Sequence, residues 1–368
     1  MKFTRIDPLR FADCRRRSRA DLDEDPEAVA GWERERSRYY AFTSLAWAEP
    51  AGRIFCGTTN FVNDLLHSYD PATGAFASMN YASVAEPNEI KIHRSLDVAP
   101  DGCVYGATSS LSSLAEMAEA PGGKLFKLDP ATGEIEVLGV PVPHLYIQTI
   151  SLDWRRKMIY GMAYPAFTFF AFSLQTREVV YSRYVGSISH IAAVDPDGGY
   201  WGTWLGRRGE HKLFRWEPQA GRIRFLDQGF STPCRSLMYA GAGPIDAMID
   251  GGDGYLYIGH ESGELYRLDW RTDRLEYLTK PMPGTRLPAL AAGADGLLFG
   301  AGGADRACIG FVYDRKTGRS EVLGDIRDER SDSACFRTHD CCLRGRDLYV
   351  GETDNPERGC YLWKCAIG

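Results

Sequence analysis

Along most of the chain, apolar and polar positions alternate in short runs, each followed by a turn carrying Gly or Asp. A period of two places the apolar residues on one face of a strand and excludes a stack of helices. The runs form a unit: a polar residue, a short apolar strand, a turn, an aromatic strand ending near Gly, and then a second strand pair. The clearest copy, His93–Gly139, begins "HRSLDVAPDGCVYGATSS" and, after an insertion, ends "GGKLFKLDPATGEIEVLG". Related copies read "SHIAAVDPDGGYWGTW", "IDAMIDGGDGYLYIGHESGELYRLDWRTDRLEYL" and "LPALAAGADGLLFGAGG", and three more are degenerate.

The glycine closing the second strand recurs at Gly57, Gly106, Gly161, Gly202, Gly259, Gly300 and Gly351, about 49 residues apart on average. Such a period matches the four-stranded blade of a propeller, with "DPATG" or "DRKTG" as the turn between its outer strands. The pattern therefore predicts an all-β fold, a seven-bladed β-propeller of four-stranded antiparallel blades, forming a single domain over residues 1–368. The seventh copy stops after its third strand, at "YLWKC". Met1–Asp7 is expected to supply the missing strand and close the ring, which removes a free sheet edge. Residues 8–43 are then a surface crossing and residues 44–368 the blades.

Composition changes this picture little. Charged residues make up 25% of the chain and net charge is -6, with both signs interspersed, so no basic stripe is present to neutralise a phosphate backbone. Nucleic acid and membrane are not expected partners: no apolar run is long enough for a span, and Met1 to Tyr40 lacks the apolar core of a secretory signal. A monomer in the cytoplasm is the expectation, or a secreted one if a signal has been removed. Several of the ten cysteines fall inside predicted strands, as at Cys56, Cys103 and Cys308, and are read as reduced, small hydrophobes.

In a propeller the starts of the first strands and the ends of the second strands meet at one mouth of the central channel. The first set is Thr43, His93, Gln148, His190, Asp246, Arg286 and His339; the second is Asn60, Thr108, Tyr164, Trp204, His260 and Asn355. Four of the seven histidines fall on this face, where proton transfer, metal binding or sugar recognition would use them. Lys91, Arg94, Arg183, Arg207, Arg208, Arg235 and Arg337 flank the ring, and a guanidinium fork matches a carboxylate. Tyr164, Trp204 and Tyr146 are candidates for stacking on sugar faces.

Cys335, His339, Cys341 and Cys342 have zinc-type side chains, but strand alternation sends Cys341 and Cys342 to opposite faces. A second metal reading, that of a propeller lactonase or lyase, takes His190, Asp246, His260 and His339 as ligands. No phosphate-cradling loop, G-x-S-x-G elbow or H-E-x-x-H pair is present. Glu86 and Glu89 are loop carboxylates with no second partner in view.

The segments "KIHRSLDVAPDGCVYGATS", "PGGKLFKLDPATGEIEVLG" and "MIYGMAYPAFTFFAFSLQTREV", together covering Lys91 to Val179, resemble seven-bladed polysaccharide lyases of the ulvan lyase type, which act on rhamnose-glucuronate linkages. The resemblance implies β-elimination at a uronic acid in an oligo- or polysaccharide, with an arginine neutralising the carboxylate while a His or Tyr moves the proton. It implies His93 and Tyr164 as the catalytic pair, His190 as a second acid or base, and Arg183 on the carboxylate. Asn60, Lys91, Gln148, Trp204, Arg235, His260, Arg286 and His339 are the expected substrate contacts. No cofactor is required by this chemistry, and a bound divalent metal stays open. Glycosidase action on the same linkage and a non-catalytic, ligand-binding propeller are the alternatives.

Overall fold

The computed structural model describes residues 1–11, 40–61, 64–111, 114–234 and 242–368. Within them lie seven four-stranded antiparallel sheets, each built from consecutive strands except the last. Blade 1 comprises Ala41–Ala48, Arg53–Thr59, Leu66–Asp70 and Ala75–Ser78, and the same order repeats around the ring. Neighbouring first strands touch in sequence, and that of blade 7, Thr338–Arg344, touches that of blade 1, so the ring closes. The fourth strand of blade 7 is Phe3–Leu9, antiparallel to Leu362–Ile367, equal in length to the expected "MKFTRID" strand but displaced two residues toward the C-terminus. The predicted crossing lies largely outside the described residues, and the first blade starts at Ala41 rather than residue 44.

The recurring glycine has a packing cause. Gly106, Gly161, Gly202 and Gly300 each pair in register with an aromatic of the third strand: Phe126, Phe170, Phe214 and Phe311. Each ring lies over its glycine where a Cβ would collide with it, an aromatic covering the gap a glycine leaves in a sheet. The "DPATG" turns are also locally determined. Asp70 accepts the amide of Ala72, and Gly74 takes φ 72, a left-handed angle natural to glycine.

The apolar core sits between blades as separate clusters. One joins Phe299, Val312 and Leu323 of blade 6 to Leu348, Val350 and Trp363 of blade 7. Cys335 and Cys341 lie in that cluster, whereas Cys342 packs with Phe42 and Tyr349 between blades 7 and 1. The cysteines of the described residues are free thiols. The predicted Cys335/His339/Cys341/Cys342 cluster therefore does not assemble, because alternation divides it among two core clusters and the channel.

Two inner strands are short: Leu96–Val98 in blade 2 and Ala193–Val194 in blade 4. The residues before them leave β geometry to reach the channel mouth, and those residues carry the polar chemistry.

Candidate functional site

The mouth is organised by Arg94, which stands at φ 47, unusual for a residue with a side chain. Its backbone is clamped from both sides: its amide donates to the Thr43 carbonyl at 3.0 Å, and the Thr149 hydroxyl donates to its carbonyl at 3.1 Å. The side chain thereby crosses the channel. Its Nε donates to His339 Nδ1 at 3.2 Å, and its Nη1 donates to the Asp246 carbonyl and lies 3.5 Å from Asp246 Oδ1. Residues of blades 2, 5 and 7 are thus joined on the axis.

Asp246 is the acceptor at the centre. Arg286 binds it with both fork nitrogens, at 3.0 and 2.7 Å, and His190 Nδ1 lies 3.1 Å from Oδ1. Burial opposes ionisation of Asp246, but Arg286, His190 and Arg94 outweigh it and hold the carboxyl well below its ordinary value. His93 completes the group: its ring is 4.7 Å from that of His339, edge on, and 5.9 Å from that of His190.

Partners fix the imidazole tautomers. His93 Nδ1 faces the Gln148 carbonyl at 2.8 Å, so Nδ1 carries the proton and Nε2 the lone pair. By the same logic His190 donates from Nδ1 to Asp246 and keeps a basic Nε2. His339 is the opposite case, accepting from Arg94 at Nδ1 and therefore carrying its proton on Nε2. Burial lowers the pKa of all three, to about 4 for His190 and well below the ordinary value for His93 and His339, where Arg94 adds to the effect. Near neutral pH the mouth presents two imidazole bases and one imidazole N–H donor.

Lys91 joins this cluster from the rim. Its main chain bridges to Thr59 and to Ser109. Burial brings its pKa down to about 8, with Asp354 pulling up and Arg94 and Arg286 pushing further down. Farther out, Arg337 is held by both oxygens of Asp305 and by Asp354.

Other expected site residues sit elsewhere. Arg183 is exposed on the outermost strand of blade 3, opposite Phe169 and over the Phe225 ring, away from the axis. Trp204 packs edge on against Phe225 and donates to the Leu226 carbonyl, serving the body of blade 4. Asn60 is buried in its own loop, donating to Thr58 Oγ1 and the Asp64 carbonyl. His260 is buried beside Phe230 and Tyr266, with Nδ1 accepting the Ser262 amide at 3.0 Å. Outer strands and loop interiors thus take residues that counting alone puts at the rim. Tyr164 pairs with Tyr146 and packs beside Met117 and Ala120 of the insertion between the second and third strands of blade 2, flanking the mouth. Arg235 lies outside the described residues. Among the described residues no metal-holding group of three is found, and His260 is engaged by Ser262 and packed against Phe230 and Tyr266.

Two features were not legible as site chemistry. Glu89 is no loop ornament: buried, it accepts from Thr108 Oγ1 at 2.7 Å and the Glu86 amide, and pairs with Lys124 at 3.1 Å. Beneath Arg94 the channel holds a cavity of about 380 Å³ whose wall includes Asp97 and Asp340. Each reaches across a blade boundary, Asp97 accepting the Leu152 amide at 2.9 Å and Asp340 the Leu45 amide at 2.8 Å. Enclosure raises both to about 6. The available signal was the inward alternation of the first strands.

No protein-family profile and no curated protein matches this sequence. Solved structures match it through the fold. The extracellular domain of the putative hybrid two component system BT4673 from B. thetaiotaomicron is 14% identical over 89% of this chain, with a TM-score of 0.58. This chain spans only 38% of that one. A chain of the Mitotic Checkpoint Complex matches over 100% of this chain and 92% of its own, at 9% identity and TM-score 0.62. Virginiamycin B lyase from Staphylococcus aureus matches over 89% and 95%, at 13% identity and TM-score 0.60. At these identities the likeness is one of architecture: the chain is a seven-bladed β-propeller.

Proposed function

We propose that the mouth binds a carboxylate-bearing saccharide of the uronic acid class and cleaves it by β-elimination. The observation that carries this reading is the convergence, on one channel mouth, of three neutral imidazoles with Arg94 and Arg286 around the buried carboxylate of Asp246, with Lys91 at the rim. The cations exceed Asp246 in charge, and an anionic ligand offsets that excess. Elimination next to a carboxylate needs a base for the proton, a cation for the charge that builds on the carboxylate, and an acid for the leaving oxygen.

The tautomers divide these roles. His190, oriented by Asp246, and His93, oriented by Gln148, present basic Nε2 atoms; His339 presents Nε2–H as the acid. Arg94, Arg286 and Lys91 neutralise the carboxylate, the last two from partly accessible positions. Tyr164, on the flank with Tyr146, contacts the sugar rather than moving its proton. That a propeller also carries the activity named in virginiamycin B lyase is compatible with this reading and contributes only analogy.

The test is the ultraviolet absorbance of an unsaturated uronate during incubation with a panel of uronate oligosaccharides. The absorbance should rise, and His190→Ala or His93→Ala should slow it by about 10²–10⁴-fold while the melting temperature holds. New reducing ends without absorbance would replace elimination with hydrolysis. Binding without either product would leave a ligand-binding propeller.

A further inference from the structure

The ammonium of Lys91 has a setting unlike that of the other cations at the mouth. Arg94 and Arg286 are committed to Asp246, and Arg337 to Asp305 and Asp354. Lys91 Nζ makes no hydrogen bond or ion pair within 4 Å with any described residue. Its main chain is rigid, its amide donating to the Ser109 carbonyl at 3.1 Å and its carbonyl accepting from the Ser109 amide. The side chain is partly accessible. The charged and titratable groups that act on it or respond to it are Arg94, Arg286, His93, His339 and, as the lone acid, Asp354.

A half-buried lysine in the field of other cations favours its neutral amine more than a solvated one does, which is how proteins make lysine a nucleophile at ordinary pH. We infer that Lys91 is a nucleophilic amine that condenses reversibly with a carbonyl compound carrying a carboxylate, a 2-oxo acid or its aldehyde analogue. The inference shares the anion-binding mouth with the reading above and rests on it only for the carboxylate contact. The downward shift of the Lys91 pKa to about 8 agrees with it.

The chemistry balances without a co-reactant. The nitrogen lone pair attacks the carbonyl carbon and a C–N bond forms. The two amine protons leave with the carbonyl oxygen as water, and the product is an imine that water reverses. Arg94 and Arg286 act on this amine electrostatically and lie at the same mouth, so a carboxylate next to the carbonyl has cations to meet, whereas a neutral aldehyde does not.

The test is borohydride trapping on the intact chain at pH 7.5 with glyoxylate or, separately, acetaldehyde, followed by peptide mapping. The exposed Lys316 serves as internal reference. Labelling at Lys91 should exceed that at Lys316 by about tenfold or more with glyoxylate. The same ratio should fall with acetaldehyde, which isolates the carboxylate contribution. Lys91→Arg, with its melting temperature unchanged, should remove the Lys91 adduct and leave Lys316 labelling intact. Equal labelling of the two lysines by glyoxylate would overturn the inference. A ratio equally high with both reagents would overturn its carboxylate part. Because no saccharide is used, Lys91 trapping without uronate cleavage would remove the elimination reading and retain this one, and the reverse result would do the opposite.

Discussion

Arg94, His190 and Lys91 show how a few side chains convert a generic channel into a site with its own pH behaviour. His190 is neutral until the pH falls to about 4, because burial penalises its imidazolium more than Asp246 rewards it. Lys91 loses its charge near pH 8 because burial and two guanidiniums disfavour the ammonium. For the proposed elimination, kcat/KM should accordingly form a bell with an acid limb near 4 and an alkaline limb near 8. The limbs have different origins: protonation removes the base on the acid side, and loss of the ammonium weakens carboxylate binding on the alkaline side. Lys91→Met should lower the plateau and abolish the alkaline limb alone. Amine trapping at Lys91 should rise across the interval in which elimination declines. A pH profile whose alkaline limb survives Lys91→Met would show that another group sets it.

At the scale of strands, the site was partly legible. Counting back from each aromatic strand reached His93, Gln148, His190, Asp246, Arg286 and His339, because the first-strand start is a fixed position in every blade. The forward count was less reliable. Trp204 and Asn60 lie at the correct strand ends, but their side chains follow the packing of their own blades. Arg94 could be placed only at the flank, since a φ of 47 in a non-glycine residue leaves no mark in alternation. Asp97 and Asp340 were hidden among ordinary strand polar positions, and their role appears only when neighbouring inner strands are set side by side. Each binds the next blade by accepting a main-chain amide, and each is raised to about 6 by enclosure. A carboxyl raised above its unfolded value contributes stability that is full below about pH 4 and lost as pH climbs through about 6. Asp340→Asn keeps an acceptor for the Leu45 amide without a charge. It should raise the unfolding free energy at pH 7 by on the order of 1 kcal/mol, since the channel wall leaves the group partly screened, and change nothing at pH 4. Chemical denaturation at the two pH values checks this, and an equal effect at both would mean that charge is not the cause.

The ring as a whole depends on one strand brought from the far end of the chain. Without Phe3–Leu9, the seventh blade would end at Leu362–Ile367 and expose a complete edge of amides and carbonyls. Phe3 does more than pair: its ring lies over Gly310 of blade 6, and Arg330, in the turn of the short two-stranded ribbon Arg327–Asp328/Ser333–Ala334 that precedes blade 7, donates to Asp7 and to the Ile6 carbonyl. The closing strand thus fastens blade 7 laterally to blade 6 as well as completing its sheet. Because inner strands of adjacent blades touch around the circle, loosening this joint would also disturb the alignment of His339, which blade 7 presents to Arg94. Phe3→Ala, a truncation of a half-buried ring, should cost roughly 1–3 kcal/mol, below the full cost of emptying a core site. Deleting residues 1 to 9 should lower the melting temperature further and produce concentration-dependent association through the bared edge. Light scattering at two protein concentrations separates that association from simple unfolding. A deleted chain that stayed monomeric with an unchanged melting temperature would show that contacts between blades alone hold the circle shut.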